Sequence, residues 1–111
     1  KVTTEKPKGG DGIMTGVQYI NADSRPNPTR IWMATINTLP PGAGLAFHAH
    51  EVNEECFFIL EGDAVYTDGD GKEYPITKGD FTLCRQGEKH GIYNKSSAPL
   101  VFAAVIMDSG Q

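Results

Sequence analysis

Residues 42–62 read GAGLAFHAHEVNEECFFILEG, and this stretch carries two of the three histidines of the chain. One residue separates His48 from His50, and Glu55 follows five residues after His50. Residues i and i+2 of a β-strand point to the same face, so a strand here aims both imidazoles in one direction. Imidazole and carboxylate groups are ligands for divalent transition metals. The stretch therefore predicts a strand that presents metal ligands on one face.

The third histidine lies in a second stretch, residues 79–94, which reads GDFTLCRQGEKHGIYN. His90 lies forty positions after His50, so only the folded chain can bring the third imidazole to the first two. Glu54 competes with Glu55 as the carboxylate, and alternation turns it to the other face if Glu55 points inward. Phe57 and Ile59 share the parity of Glu55, and we expect them to line the core beside it.

Short β-rich segments separated by turn residues run through the rest of the chain, and no long stretch keeps a helical period. Asp-Gly occurs twice in residues 68–71, which is typical of a hairpin turn. The pattern predicts an all-β fold in a single domain over residues 1–111, with residues 1–11 as a loose opening segment. Nine strands are predicted, at residues 12–20, 30–39, 45–50, 55–60, 63–67, 72–76, 81–84, 91–95 and 100–107.

The two quoted stretches resemble the two sequence motifs of the cupin superfamily, in its small single-domain form. The first motif is matched by Gly42, His48, His50, Glu55 and Gly62. The second is matched by Gly79, Gly87, His90 and Asn94. Residues 63–78 separate the motifs, a short spacing of the kind that small microbial cupins show. One departure is Arg85, which stands where the second motif usually has proline and would add a cation to the rim of the site.

The resemblance implies a jelly-roll barrel of the double-stranded β-helix type and a metal site within it. It assigns four metal ligands: His48, His50, Glu55 and His90. The implied cofactor is one divalent transition ion, which could be Fe, Mn, Ni, Zn, Co or Cu, since similar ligand sets serve different ions. The resemblance also implies a homodimer formed by sheet packing.

Composition limits the partners and the compartment. A net charge of −4 provides no basic excess, which disfavours nucleic acid and anionic membranes as partners. The longest apolar run is too short to cross a bilayer, and no secretion signal opens the chain. Cys56 and Cys84 both lie in apolar strand segments, where we expect buried free thiols. These features predict a cytoplasmic protein whose partner is a small-molecule ligand.

The reaction is left open by the sequence. The first hypothesis is a metalloenzyme that acts on a small oxygen-containing molecule, either as a dioxygenase or as a Lewis-acid isomerase, decarboxylase or lyase. The alternative is a non-catalytic, metal-dependent module that binds or senses a small molecule. No catalytic residue is assigned: no fourth histidine is present, and Tyr66 cannot be placed by pattern. Arg85 and Lys89 could attract an anion to the cavity mouth, although solvated loop charges are the favoured interpretation.

Overall fold

The computed structural model describes residues 2–109. Within that range the chain forms ten strands and one short 3-10 turn, Pro7–Gly9. The described residues contain no helix with the length and apolar character that crossing a bilayer demands. The strands are β1 Val2–Glu5, β2 Ile13–Ile20, β3 Ile31–Leu39, β4 Gly44–Ala49, β5 Asn53–Glu61, β6 Asp63–Thr67, β7 Glu73–Thr77, β8 Phe81–Cys84, β9 Lys89–Tyr93 and β10 Leu100–Asp108.

The strands form two antiparallel sheets, as a double-stranded β-helix requires. One sheet has the order β1-β2-β3-β10-β5-β8, and the other has the order β4-β9-β6-β7. The all-β prediction is confirmed, and each of the nine predicted strands is present with ends displaced by no more than about two residues. Strands such as β8 and β10 were predictable because their buried and less buried residues alternate, with one face toward the core.

The opening segment differs from the expectation of a loose tail. Residues 2–5 instead form β1 and pair with β2, with Val2 opposite Gly16 and Glu5 opposite Ile13. Asp11 then exchanges two backbone hydrogen bonds with Gly44, of 3.1 and 2.9 Å. A Cβ on Gly10 would overlap the carbonyl oxygen of Gly44, so only glycine allows this approach. Periodicity did not reveal β1 because it is a short edge strand with mostly exposed, polar side chains.

The core lies between the sheets and is continuous with the region of the histidines. Alternate residues of β10 point inward and are buried, and Phe102 packs edge-on against Phe57 with 5.0 Å between ring centroids. Burial of each such phenylalanine contributes about 1.5–3 kcal/mol. Asn94 has a structural role, because its side-chain amide donates to the carbonyls of Leu39 and Ala98, at 2.9 and 2.8 Å. The apolar cluster comprises Leu39, Ala43, Leu45, Phe57, Ile59, Ala64, Tyr66, Ile92, Leu100, Phe102 and Ala104.

Candidate metal centre

The three histidines and Glu55 come from both sheets and meet inside the barrel. His48 lies on β4 directly opposite His90 on β9, and His50 follows the end of β4. Glu55 comes from β5 in the other sheet. A register shift between Leu45 and His48 lets both of these residues face inward, while Phe47 between them is exposed. The structure thus brings together all four residues that the sequence singled out.

The spacing of the four side chains is that of ligands around one ion. The Oε1 atom of Glu55 lies 2.9 Å from Nε2 of His50, 3.0 Å from Nε2 of His90 and 3.9 Å from Nε2 of His48. One potential ligand atom from each residue lies within 4.8 Å of the others. An ion about 2.1 Å from each ligand in tetrahedral or octahedral geometry requires ligand separations of about 3.0–4.2 Å. The cluster could therefore hold a metal ion with little rearrangement.

Hydrogen bonds at the far side of two imidazoles fix which nitrogen faces the centre. Nδ1 of His48 lies 2.7 Å from the carbonyl oxygen of Ala46, which can only accept, so Nδ1 donates. Nδ1 of His50 likewise donates to Oδ1 of Asn53 at 2.7 Å. In a neutral imidazole the opposite nitrogen, Nε2, then carries a lone pair. Nε2 of His48 is buried and has no hydrogen-bond partner among the described residues. A metal-binding histidine is held in this way.

The charge state at neutral pH also suits a cation. Burial alone would raise the pKa of Glu55, but contacts with the imidazoles of His48, His50 and His90 outweigh it and hold that pKa well below its usual range. Burial is the largest effect on His90 and, together with the charges of His48 and His50, lowers its pKa, although contacts with Glu55 act in the opposite direction. For His50, burial also lowers the pKa, but hydrogen bonds to Glu55 and Asn53 outweigh it and the net pKa is raised, with the Lys8 ammonium acting against them.

Two aromatic side chains set the position of His90, which is fully buried. The ring of Phe57 stacks on the imidazole with 4.8 Å between centroids and 13° between planes. The hydroxyl of Tyr66 lies 3.0 Å from Nδ1 of His90. Burial raises the pKa of Tyr66 to about 12, so the phenol stays protonated. The inward positions of Phe57 and Ile59 were predicted and are confirmed.

The contribution of Tyr66 was missed by sequence reasoning. A usable signal was its parity with Ala64 in β6, since both side chains are buried. This parity predicts that Tyr66 points inward, but it does not predict the contact between Tyr66 and His90, because that contact depends on how β6 pairs with β9.

The cations near the second motif do not face the cluster as free charges. Arg85 Nη2 lies 3.1 Å from Oε2 of Glu88, and the Arg85 side chain is largely exposed. The Lys89 ammonium lies 6.0 Å from the centroid of the exposed Phe47 ring. Arg85 fits the favoured expectation of a solvated loop charge, whereas Lys89 is exposed but lies on β9 instead of a loop. Cys56 and Cys84 are buried free thiols, as predicted.

Comparison with known proteins agrees with this geometry. The family model described as Cupin domain matches residues 35–106. The oxalate-binding protein of Thermotoga maritima is 34% identical over 100 residues, which span 90% of this chain and 80% of that protein. The crystal structure of a predicted oxalate decarboxylase from Thermotoga maritima superposes with a TM-score of 0.88 and 31% identity, over 96% of this chain and 90% of the other. A cupin protein from Bacteroides fragilis gives a TM-score of 0.72 and 31% identity, over 87% of this chain and 79% of the other. The chain belongs to the cupin family.

Proposed function

We propose that His48, His50, Glu55 and His90 bind one divalent transition metal ion, and that the protein uses this ion to bind a small dicarboxylate of the oxalate type. The observation that carries the proposal is the buried, unpartnered Nε2 of His48, which faces Glu55 with its lone pair. Four protein ligands leave two positions of an octahedral ion open. A bound divalent ion would act as a Lewis acid toward anionic oxygen atoms.

The dicarboxylate is supported by two independent arguments. The chemical one is that two adjacent open positions on an ion match two carboxylate oxygens of one ligand. The comparative one is that a relative 34% identical to this chain is named for oxalate binding. Together they narrow the ligand from an oxygen-containing molecule to a compact anion with two carboxylates.

Binding is favoured over catalysis by the groups around the cluster. All three histidines of the sequence belong to it, so no imidazole remains to serve as a general base. The hydroxyl of Tyr66 is directed to His90, and its pKa of about 12 makes it a poor acid or base near neutrality. Redox-neutral decarboxylation of the same ligand is the second candidate, favoured by the similarity to the predicted oxalate decarboxylase.

The test uses untagged protein, because a histidine tag would itself bind metal. Elemental analysis after loading and desalting should find about one transition ion per chain. Calorimetry should then detect oxalate binding to the loaded protein and not to protein stripped with a chelator. Equal oxalate binding by the stripped protein, or failure of the wild type to retain any ion, would contradict the proposal.

The same samples distinguish binding from the catalytic alternatives. Incubation with oxalate should leave the ligand intact if the protein only binds it. Release of formate and carbon dioxide in equal amounts would establish the decarboxylase instead. Oxygen uptake on adding diols, diketones or phenols would establish the dioxygenase.

We further propose a cytoplasmic homodimer that packs through the outer face of β5 and β8. Phe58 and Phe81 are about half exposed there, with 4.7 Å between their ring centroids, and Leu60 and Leu83 are also exposed. β8 is an edge strand, where such a patch favours association. Light scattering should give twice the chain mass for the wild type and the chain mass for Phe81→Lys.

The two free thiols support a reducing compartment.

A further inference from the structure

A cavity of about 300 Å³ lies against the inner face of β3. This volume is at the lower end of the range for small-molecule sites. The opening segment, β2, β3 and β4 all contribute to its wall. Six of the lining residues are Lys8, Met14, Met33, Thr35, Asn37 and Leu45.

Sheet register places the cavity next to the candidate metal centre. Met33 on β3 lies opposite Ile106 on β10, and Ile106 lies opposite Glu55 on β5. Two residues further along β3, Thr35 lies opposite Ala104 on β10, and Ala104 lies opposite Phe57 on β5. Two strand spacings amount to about 10 Å. The part of the cavity wall formed by Met33 and the glutamate therefore lie on the same interior face, two strand spacings apart.

The cavity contains a polar group that the protein itself leaves unpaired. Thr35 is only 5% exposed, and its Oγ1 has no hydrogen-bond partner among the described residues. A buried hydroxyl without a protein partner destabilises a fold, so it usually marks a position that binds a ligand or water. The Thr35 hydroxyl has a hydrogen bond left to donate, and Thr35 is one of the residues that line the cavity.

The opening segment places an exposed lysine, Lys8, at the edge of the same cavity. Pro7 is fully buried, and the bond from Gly10 N–H to the Pro7 carbonyl closes the turn at 2.9 Å. Between them Lys8 adopts φ 53°, in the left-handed region that disfavours residues other than glycine. A strained residue held by its neighbours is often found at a functional site. The turn that contains Lys8 also packs against β4, the strand that carries His48.

We propose that this cavity is the ligand chamber of the candidate metal centre, and that Lys8 and Thr35 bind the anionic ligand in it. The Lys8 ammonium would donate charge-assisted hydrogen bonds to a carboxylate, and the Thr35 hydroxyl would donate a further one. The inference rests on the proposed function and deepens it. It assigns selection for dianionic over monoanionic ligands to this chain's own opening segment.

Substitutions at Lys8 test the charge. Lys8→Met should weaken oxalate binding to the metal-loaded protein by about tenfold to a hundredfold, the usual effect of losing a hydrogen bond to a charged group. Lys8→Arg should restore most of the affinity. The loss should be smaller for oxamate, which carries one negative charge instead of two. Lys6→Met is the matched control, since Lys6 has φ 44° in the same turn but does not line the cavity.

Substitution of Thr35 provides a readout that a structural role would not produce. Thr35→Val removes the unpaired hydroxyl without changing the shape, so the chelated protein should be at least as stable as the wild type to denaturant. Oxalate affinity of the loaded protein should nevertheless fall by about three- to tenfold. Thr38→Val, on the opposite face of β3, should leave the affinity unchanged.

The outcomes separate the two proposals. If the loaded wild type retains its ion but binds no oxalate, the proposed function and the chamber both fall. If the wild type binds oxalate and the Lys8→Met and Thr35→Val variants bind it equally well, only the chamber assignment is wrong. Each variant should retain one ion per chain, and loss of metal by Lys8→Met would also contradict the chamber assignment.

Discussion

Tyr66→Phe tests whether the hydroxyl behind His90 prepares that imidazole for a metal. The substitution removes one oxygen atom and keeps the buried ring. His90 is fully buried, and its Nδ1 has the Tyr66 hydroxyl at 3.0 Å. With that hydroxyl gone, a donor at Nδ1 has no acceptor among residues 2–109, and no other hydrogen bond in that range keeps Nε2 as the bare nitrogen toward Glu55.

The expected magnitudes follow from the burial of His90 and from the removal of one hydrogen bond. An unpaired buried donor costs about 1–3 kcal/mol of unfolding free energy. A decrease of about 2 kcal/mol lowers Tm by roughly 8 °C in a chain of this size. Removing an outer hydrogen-bond partner of a ligating histidine typically weakens metal binding by about 10- to 100-fold, or about 1.4–2.8 kcal/mol. We expect both effects in Tyr66→Phe.

Two assays measure these quantities separately. Urea unfolding in the presence of a chelator gives the stability of the metal-free protein, and competition with a chromophoric chelator gives the metal affinity. The control is Tyr74→Phe, because Tyr74 lies directly opposite Tyr66 on β7 but is 42% exposed. Metal affinity of Tyr66→Phe within twofold of the wild type would refute the reasoning, even if its stability fell.

Three further outcomes are expected. His90→Ala should lose the metal in elemental analysis. It should keep the β-sheet circular dichroism of the wild type, because apolar burial supplies most of the stability. Full metal retention would contradict the ligand assignment. Burial lowers the pKa of His50, but hydrogen bonds to Glu55 and Asn53 outweigh it and raise that pKa above 6.5 overall. Protons therefore compete with the metal for Nε2, and chelator competition should show the metal affinity already falling as the pH drops toward 6.5. Burial, then the charges of Glu88 and Glu55, raise the pKa of the Cys84 thiol to about 12, so thiol reagents should modify it in urea but hardly in the native protein.

Periodicity and motif spacing predicted most of the strands and the residues that meet at the centre. His48 and Glu55 each lie in a strand whose alternation is visible in the sequence. Alternation depends on neighbours along the chain, and that is why it can be read without a structure. Alternation gives the wrong face for Leu45, because strict two-residue alternation would put Leu45 and His48 on opposite faces of β4. The register shift between these two residues turns both inward.

From the sequence alone, strand alternation placed His48 and His50 on one face, and the resemblance to the two cupin motifs assigned Glu55 and His90 to the same site. Tertiary structure decided what surrounds them. The contact between Tyr66 and His90 depends on the pairing of β6 with β9, and the place of Lys8 depends on the docking of the opening segment against β4. The neighbours of Thr35 across the sheet follow from strand order. Such contacts join residues far apart in the chain, so they are fixed by register and packing and leave no periodic signal in the sequence.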